Sequence, residues 1–352
     1  MTSVPLSVLD LAPVAEGTDN ATALARTTAL ARRAEELGYH RFWVAEHHNM
    51  PGIASSAPAV LIAHLAAATN TIRLGSGGVM LPNHAPLVVA EQFGTLVALH
   101  PGRIDLGIGR APGTDQITAL ALRRSVDALS AEDFPQELAR LIGYFETGSG
   151  TPRVVAVPGR GDAPAVWLLG SSDFSARLAG MLGLPFSFAH HFSAANTDLA
   201  LDLYRSEFRP SRWLAEPYAM VAVNAVCAET DERAEWLAGP SGLAFLRLRQ
   251  GRPGRLPTPE QAAEYPYSPL EREFVLARRE GQALGSPETV TAQLTALLKR
   301  TNADELMLTT MVYDIDARIR SYELIKERVQ PRMGRGRALP AHTGIDQAGS
   351  ER

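Results

Sequence analysis

The residues best suited to chemistry in this chain occur as short clusters at the ends of apolar runs. Glu46-His47-His48 closes the run Arg41-Phe42-Trp43-Val44-Ala45, and His190-His191 closes Phe186-Ser187-Phe188-Ala189. An imidazole titrates near neutrality, so a histidine held at such a place can take and return a proton at physiological pH. Gly77-Gly78, with Asn83-His84 a few residues later, follows a third run; paired glycines there allow close backbone approach or an unusual peptide geometry, or mark a simple bulge. Gly170-Ser171-Ser172 runs from an apolar stretch straight into a helical one. Hydroxyls and free N–H groups at a helix start form a generic phosphate cradle, for which serine as an ordinary N-cap is the competing explanation.

These clusters do not read as a metal centre. Successive strand residues point to opposite sides, so His47 and His48 cannot both enter one site unless the strand ends between them. None of the nine histidines forms a His-x-His pair or an H-E-x-x-H helix, and Cys227 is the only cysteine. The bland alternative for each histidine pair is a helix cap bonded to loop carbonyls; for Glu46 it is a salt bridge at the rim. Gly107-Ile108-Gly109-Arg110 resembles a dinucleotide fingerprint only superficially, because Pro112, Gly113 and Asp115 prolong a loop where a true fingerprint opens a helix.

The elements that must position these residues alternate along the chain. Strands are expected at 4–9, 41–45, 72–75, 103–108, 165–169, 185–189, 218–227 and 304–309, and helices at 21–37, 58–69, 86–99, 135–145, 172–182, 196–208, 287–300 and 315–329. Pro58, Pro86, Pro135 and Pro287 fall where helices begin, and Gly38 and Gly183 where they end. Eight such units predict an α/β fold, a (β/α)₈ TIM barrel, with insertions before strand 5 (148–164) and before helix 7 (229–285). The expected organisation is one barrel domain over 1–333 and a flexible tail over 334–352. Chemistry in such barrels sits at the carboxyl ends of the strands, where all the clusters fall.

Composition narrows the function classes. With 45% hydrophobic residues, 20% charged residues and a formal net charge of −4, the chain has ample core and no cationic excess for nucleic acid. No stretch reads as a membrane span, no signal peptide is recognisable, and the single cysteine suits a reducing compartment, so a cytoplasmic protein is expected.

Four colinear segments carry a family resemblance: Ala34-Glu35-Glu36-Leu37-Gly38-Tyr39, Phe42 through His48, Gly75-Ser76-Gly77-Gly78-Val79-Met80-Leu81-Pro82, and Pro101-Gly102-Arg103 through Arg110. Over residues 6–331 the chain resembles the bacterial luciferase-like flavin monooxygenases, most closely a branch that includes tailoring monooxygenases of aromatic polyketide pathways, such as that of mensacarcin. The resemblance implies that His47 is catalytic, that Glu46 orients it or bonds the flavin edge, and that reduced FMN (FMNH2) reacts with O2 to a C4a-hydroperoxide that oxygenates a small organic substrate, an aromatic polyketide or another secondary metabolite. It places a non-proline cis peptide at Gly77-Gly78 beneath the isoalloxazine ring and Arg110 on the FMN phosphate, a fit to the bidentate geometry of guanidinium and phosphate. Gly170, Ser171 and Ser172 complete that anion site. His48, His84, His190 and His191 are expected around the flavin or substrate cavity; the family's own loop histidine aligns with Ala85, so its role does not pass to His84.

No second nucleotide-binding unit is evident, so a separate NAD(P)H-dependent flavin reductase is expected as partner, and the resemblance implies a homodimer. The alternatives are an F420-dependent oxidoreductase of the same fold and a non-catalytic flavin-binding partner subunit.

Overall fold

The computed structural model describes residues 2–111, 113–123, 133–147, 153–333 and 335–336. Eight strands, β1 Leu6–Asp10, β2 Arg41–Val44, β3 Arg73–Met80, β4 Ile104–Gly109, β5 Ala165–Gly170, β6 Phe186–Phe188, β7 Ala219–Cys227 and β8 Glu305–Thr309, pair in parallel, each with the next. The sheet closes because β8 pairs on one side with β7 (Glu305 opposite Met220) and on the other with β1 (Leu306 opposite Leu6). The result is the expected (β/α)₈ barrel, in which closure leaves no edge strand in the ring.

Helices α1 Asn20–Glu36, α2 Pro58–Ala68, α3 Pro86–Leu99, α4 Gln116–Arg123, α5 Phe134–Tyr144, α6 Asp173–Leu182 and α7 Thr197–Ser206 follow the first six strands. After β7 come α8 Asp231–Arg249, α9 Pro259–Glu264, α10 Pro269–Ala277 and α11 Pro287–Thr301; α12 Ile315–Leu324 follows β8 and runs into a π-helical turn, Ile325–Val329. Two differences from the expected elements matter. Helix α4 occupies part of what reads as loop after β4, and β3 runs on through Gly77-Gly78 to Met80, with its register to β4 shifting between Ser76 and Val79. The pair therefore lies within the strand, as an irregularity, rather than after it. Arg335–Gly336 pairs antiparallel with Thr2–Ser3. Residues 124–132, 148–152 and 337–352, which include parts of the expected insertion and tail, lie outside the described residues.

Strand parity divides the barrel into an outer core and an inner stack. Leu6, Val8, Phe42, Val44, Leu74, Leu106, Ile108 and Val221 face the helices in one large apolar cluster. Inside, the lowest layer is ionic. The fully buried Arg41 bonds Asp105 at 2.8 Å and Glu305 at 3.0 Å, while Arg73 bonds Asp105 at 2.6 Å, the Trp43 indole N–H donates to Asp105 at 3.0 Å and the Tyr218 hydroxyl to Glu305 at 2.9 Å. Ser7 also donates to Glu305. Burial alone would raise the Asp105 carboxyl pKa, but the Arg41 and Arg73 guanidiniums hold it well below the usual carboxylate range. Above this layer Trp43, Trp167 and Tyr218 pack edge to face at 5.3 and 5.7 Å, joined by Leu9, Met220 and Met307. Leu9, Trp43 and Met307 are also the floor of a cavity at the carboxyl end of the strands.

Candidate active site

The cavity has a volume of about 350 Å³ and a mostly apolar wall. Its residues follow the inward parity of each strand and carry that parity past the strand ends. Along β2 and just past it, Trp43, Ala45 and His47 line it, and Glu46 does not; along β6 and just past it, Ser187, Ala189 and His191 line it, and His190 does not. The period of two thus decides which member of each histidine pair faces inward.

His47 is held by its backbone, whose N–H donates to Ser55 O at 3.0 Å, and by its ring, whose Nδ1 donates to the Gly113 carbonyl at 3.3 Å. Burial lowers its pKa below the ordinary histidine value, only partly offset by the Gly113 carbonyl, so the ring is neutral at pH 7 with Nε2 left to accept a proton.

Glu46 neither lines the cavity nor bonds the His47 ring. Its side chain is fully buried on the other side of the strand, where Oε1 accepts from His48 Nε2 at 2.8 Å, His84 Nε2 at 2.9 Å and Asn83 Nδ2 at 3.3 Å, and Oε2 accepts from the Met80 N–H at 3.0 Å. His48 and His84, expected at the cavity, are instead partners of this carboxylate. The correction has a simple cause: adjacent residues on an extended chain diverge, so Glu46 and His48 share the face opposite His47. Burial pushes the Glu46 carboxyl upward, yet the bonds from His84, His48 and Met80 outweigh it and keep the pKa below the usual glutamate value. The carboxylate ties β2 to the end of β3 and the turn that follows it.

Gly77 and Gly78 both line the cavity, and the peptide between them is cis. A Cβ on Gly78 would lie 2.9 Å from the Gly107 carbonyl oxygen, a backbone atom that cannot move aside, so this position requires glycine on packing grounds.

Arg110, just past β4, and Gly170, Ser171 and Ser172, at the end of β5, meet on one side of the cavity. The Arg110 guanidinium lies 4.4 Å over the ring of Phe174, in the first turn of α6, and joins no ion pair among the described residues. Ser172 is the N-cap residue of α6, but its hydroxyl makes no capping bond, and the Asp173 carboxylate bonds the Phe174 N–H at 2.9 Å. A guanidinium in no ion pair among the described residues, beside a helix start whose N-cap hydroxyl makes no capping bond, suits an anion.

His191 Nδ1 bonds the Ala222 carbonyl at 3.0 Å, and burial takes its pKa down to about 4. His190 is buried behind it, 2.7 Å from the Thr197 hydroxyl; burial and Arg300 take it to about 4 also. Much of the remaining wall comes from the insertion after β7, with Ser241, Ala244, Phe245 and Leu248 of α8, then Pro253, Gly254, Leu256 and Arg278, and part from Met50, Gly52 and Ile53 after β2. The sequence marks the insertion residues only as members of the stretch 229–285. The insertion is anchored across the mouth by Leu256 N–H to Val14 O at 2.9 Å and Glu16 N–H to Leu256 O at 2.8 Å. Among the described residues no three histidine, cysteine or carboxylate side chains are grouped so as to hold a metal, and no helix is long and apolar enough to cross a membrane.

Fold and cavity together define a barrel protein with a ligand site at the carboxyl ends of its strands, walled by apolar groups and bearing two inward-facing neutral histidines, His47 and His191, and an anion corner. The model of the luciferase-like monooxygenase family matches residues 4–305, and the chain belongs to that family. It is 48% identical over 332 residues to a luciferase-like monooxygenase of Escherichia coli (strain K12), covering 94% of this chain and 99% of that protein. It is 36% identical over 338 residues to the N-acetyl-S-alkylcysteine monooxygenase of Bacillus subtilis (strain 168), covering 93% and 98%. The crystal structure of apo-MsnO8 superimposes with a TM-score of 0.85 at 41% identity, covering 92% of this chain and 98% of that one.

Proposed function

We propose that this chain is the oxygenating component of a two-component flavin monooxygenase, which takes reduced FMN from a separate NAD(P)H-dependent reductase and uses O2 to oxygenate a small organic substrate, working as a homodimer. The observation that carries the cofactor assignment is the anion corner. Arg110, without a carboxylate partner among the described residues and stacked on Phe174, opens with Ser171 and Ser172 onto the same cavity as His47 and the Gly77-Gly78 floor. Arg110 and the start of α6 would hold the phosphate; Gly77 and Gly78, having no side chains, would admit a flat ring system.

Reduced flavin, when bound, supplies the two electrons that activate O2. The chain's own contribution is positional and protic. The walls formed by Leu9, Trp43, Leu169, Phe245 and Met307 keep water from the reacting atoms. His47, neutral and fixed through Nδ1, takes up a proton at Nε2 and returns it, the general acid–base work typically worth about 10² to 10⁴ in rate. Glu46 acts through the fold by fixing the strand ends on either side of His47.

The test is an anaerobic titration of the purified chain with reduced FMN, oxidised FMN and reduced F420, followed by turnover under O2 with a flavin reductase. Tighter binding of reduced FMN and incorporation of one atom of ¹⁸O₂ into product are expected. Binding of F420 alone with hydride transfer and no oxygen uptake would replace this reading by the deazaflavin one, and flavin binding without turnover by the partner-subunit one.

A further inference from the structure

The cavity holds a second guanidinium that the flavin site does not use. Arg278 opens the 3₁₀ turn Arg278–Gly281 after α10 and lines the cavity together with Ser241, Ala244 and Phe245 of α8. Its guanidinium carbon sits 4.1 Å over the Phe245 ring. No ion pair among the described residues includes it, although its neighbour Arg279 is paired with Glu235 at 3.2 Å. Guanidinium remains protonated at any physiological pH, and withdrawing it from water into a largely apolar wall without a counter-charge is costly. Stacking on Phe245 offsets part of that cost, and the half-buried N–H donors meet no protein acceptor among the described residues. Burial is indeed the one influence acting on its pKa, which it lowers, and Arg278 is close enough to depress His191 as well.

A donor fork on the wall of a ligand cavity, in no ion pair among the described residues, is complementary to an anion that the ligand brings. The FMN phosphate is not that anion, because Arg110 and the Ser171-Ser172 turn stand at β4 and β5, whereas Arg278 stands on the insertion between β7 and β8. We infer that Arg278 reads an oxyanion head group, a carboxylate or a sulfonate, on the organic substrate, whose apolar body then lies along Phe245, Ala244 and Leu248. This rests on the flavin monooxygenase reading for the identity of the ligand as substrate, but not for the existence of the subsite.

The experiment uses matched probes: 3-phenylpropionate, 2-phenylethanesulfonate and the neutral 3-phenylpropanamide. Each is titrated into the full chain with and without saturating reduced FMN under anaerobic conditions, for wild type, Arg278→Gln and Arg278→Lys. One or both acids should bind wild type about tenfold or more tightly than the amide, as expected for charge-assisted bonds, and the tighter of the two identifies the head group. Arg278→Gln should abolish the preference while leaving reduced FMN affinity unchanged, and Arg278→Lys should retain part of it. Equal binding of acids and amide, no binding of either acid at millimolar concentration, or an Arg278→Gln loss that falls equally on reduced FMN would overturn the inference. The flavin-free titration separates the two failures: a chain that ignores FMN yet discriminates acid from amide refutes the cofactor reading and keeps this one.

Discussion

Replacing Glu46 tests whether a residue beside His47, the histidine proposed to be catalytic, acts on chemistry or on architecture. Its Oε1 faces two histidine nitrogens and the Asn83 amide, and its Oε2 faces the Met80 N–H. In Glu46→Gln the carbonyl oxygen can remain toward the histidines only if the amide NH2 is turned on the Met80 N–H, so one buried donor loses its acceptor and the other bonds lose their charge. Leaving a buried donor unsatisfied costs about 1–3 kcal/mol. Glu46→Ala strands all the donors and opens a void, and should cost more than the amide variant. The expected order in urea melts is therefore wild type, then Glu46→Gln, then Glu46→Ala. Because the folded-state pKa of Glu46 lies below its unfolded value, its contribution is complete above about pH 4.3 and disappears as pH falls through the folded pKa, so the gap between wild type and Glu46→Gln should narrow on acidification. Reduced FMN affinity of the folded variants should be nearly unchanged, since Glu46 does not reach the cavity. A Glu46→Gln protein as stable as wild type that has lost flavin or product formation would refute this account and put Glu46 back in the chemistry.

Arg110→Ala should weaken reduced FMN by about tenfold or more while changing riboflavin little, because one or more charge-assisted bonds are lost only with the phosphate; equal losses would remove Arg110 from the phosphate site. His47→Asn should fold normally, bind reduced FMN and lose about 10² or more in product formation with extra hydrogen peroxide released, measured in the reductase-coupled assay. In wild type the rate should fall on acidification with a midpoint below 6.5, where His47 protonates, and the Asn variant should lack that limb. His190 and His191, pushed down to about 4, bind protons less readily folded than unfolded, so stability should decline as pH drops from about 6.5 to about 4, and His190→Asn should flatten that decline in chemical denaturation. Chelators should leave turnover intact; a stoichiometric metal whose removal abolishes activity would overturn the flavin reading.

Much of this protein is local in its sequence. Alternating strand and helix periods, prolines at helix starts and glycines at helix ends come from neighbours a few residues apart, and they were sufficient to predict eight βα units and hence a barrel with its chemistry at one end. The clusters around His47, Gly77-Gly78, Arg110 and Ser171-Ser172 could be read because each lies at the end of such a unit, and the closed barrel brings them to one cavity. What only the tertiary structure decided is direction and partnership. Whether His47 or His48 enters the barrel depends on which parity of β2 faces its axis, and that is set by β1 and β3 on either side. Once Trp43 points inward, His47 must follow and Glu46 and His48 must turn away. Arg41 reads as the opening of an apolar run, yet it is the centre of a buried ionic layer whose partners, Asp105 and Glu305, stand 64 and 264 positions away. Arg278 likewise reads as one arginine among many in a long insertion, and becomes a feature of the cavity only because the insertion folds back over the mouth and leaves it without a carboxylate partner among the described residues. Periodicity carries information over one or two turns of chain; charge pairing and cavity lining are set by contacts between distant segments, and these exist only after the barrel has closed.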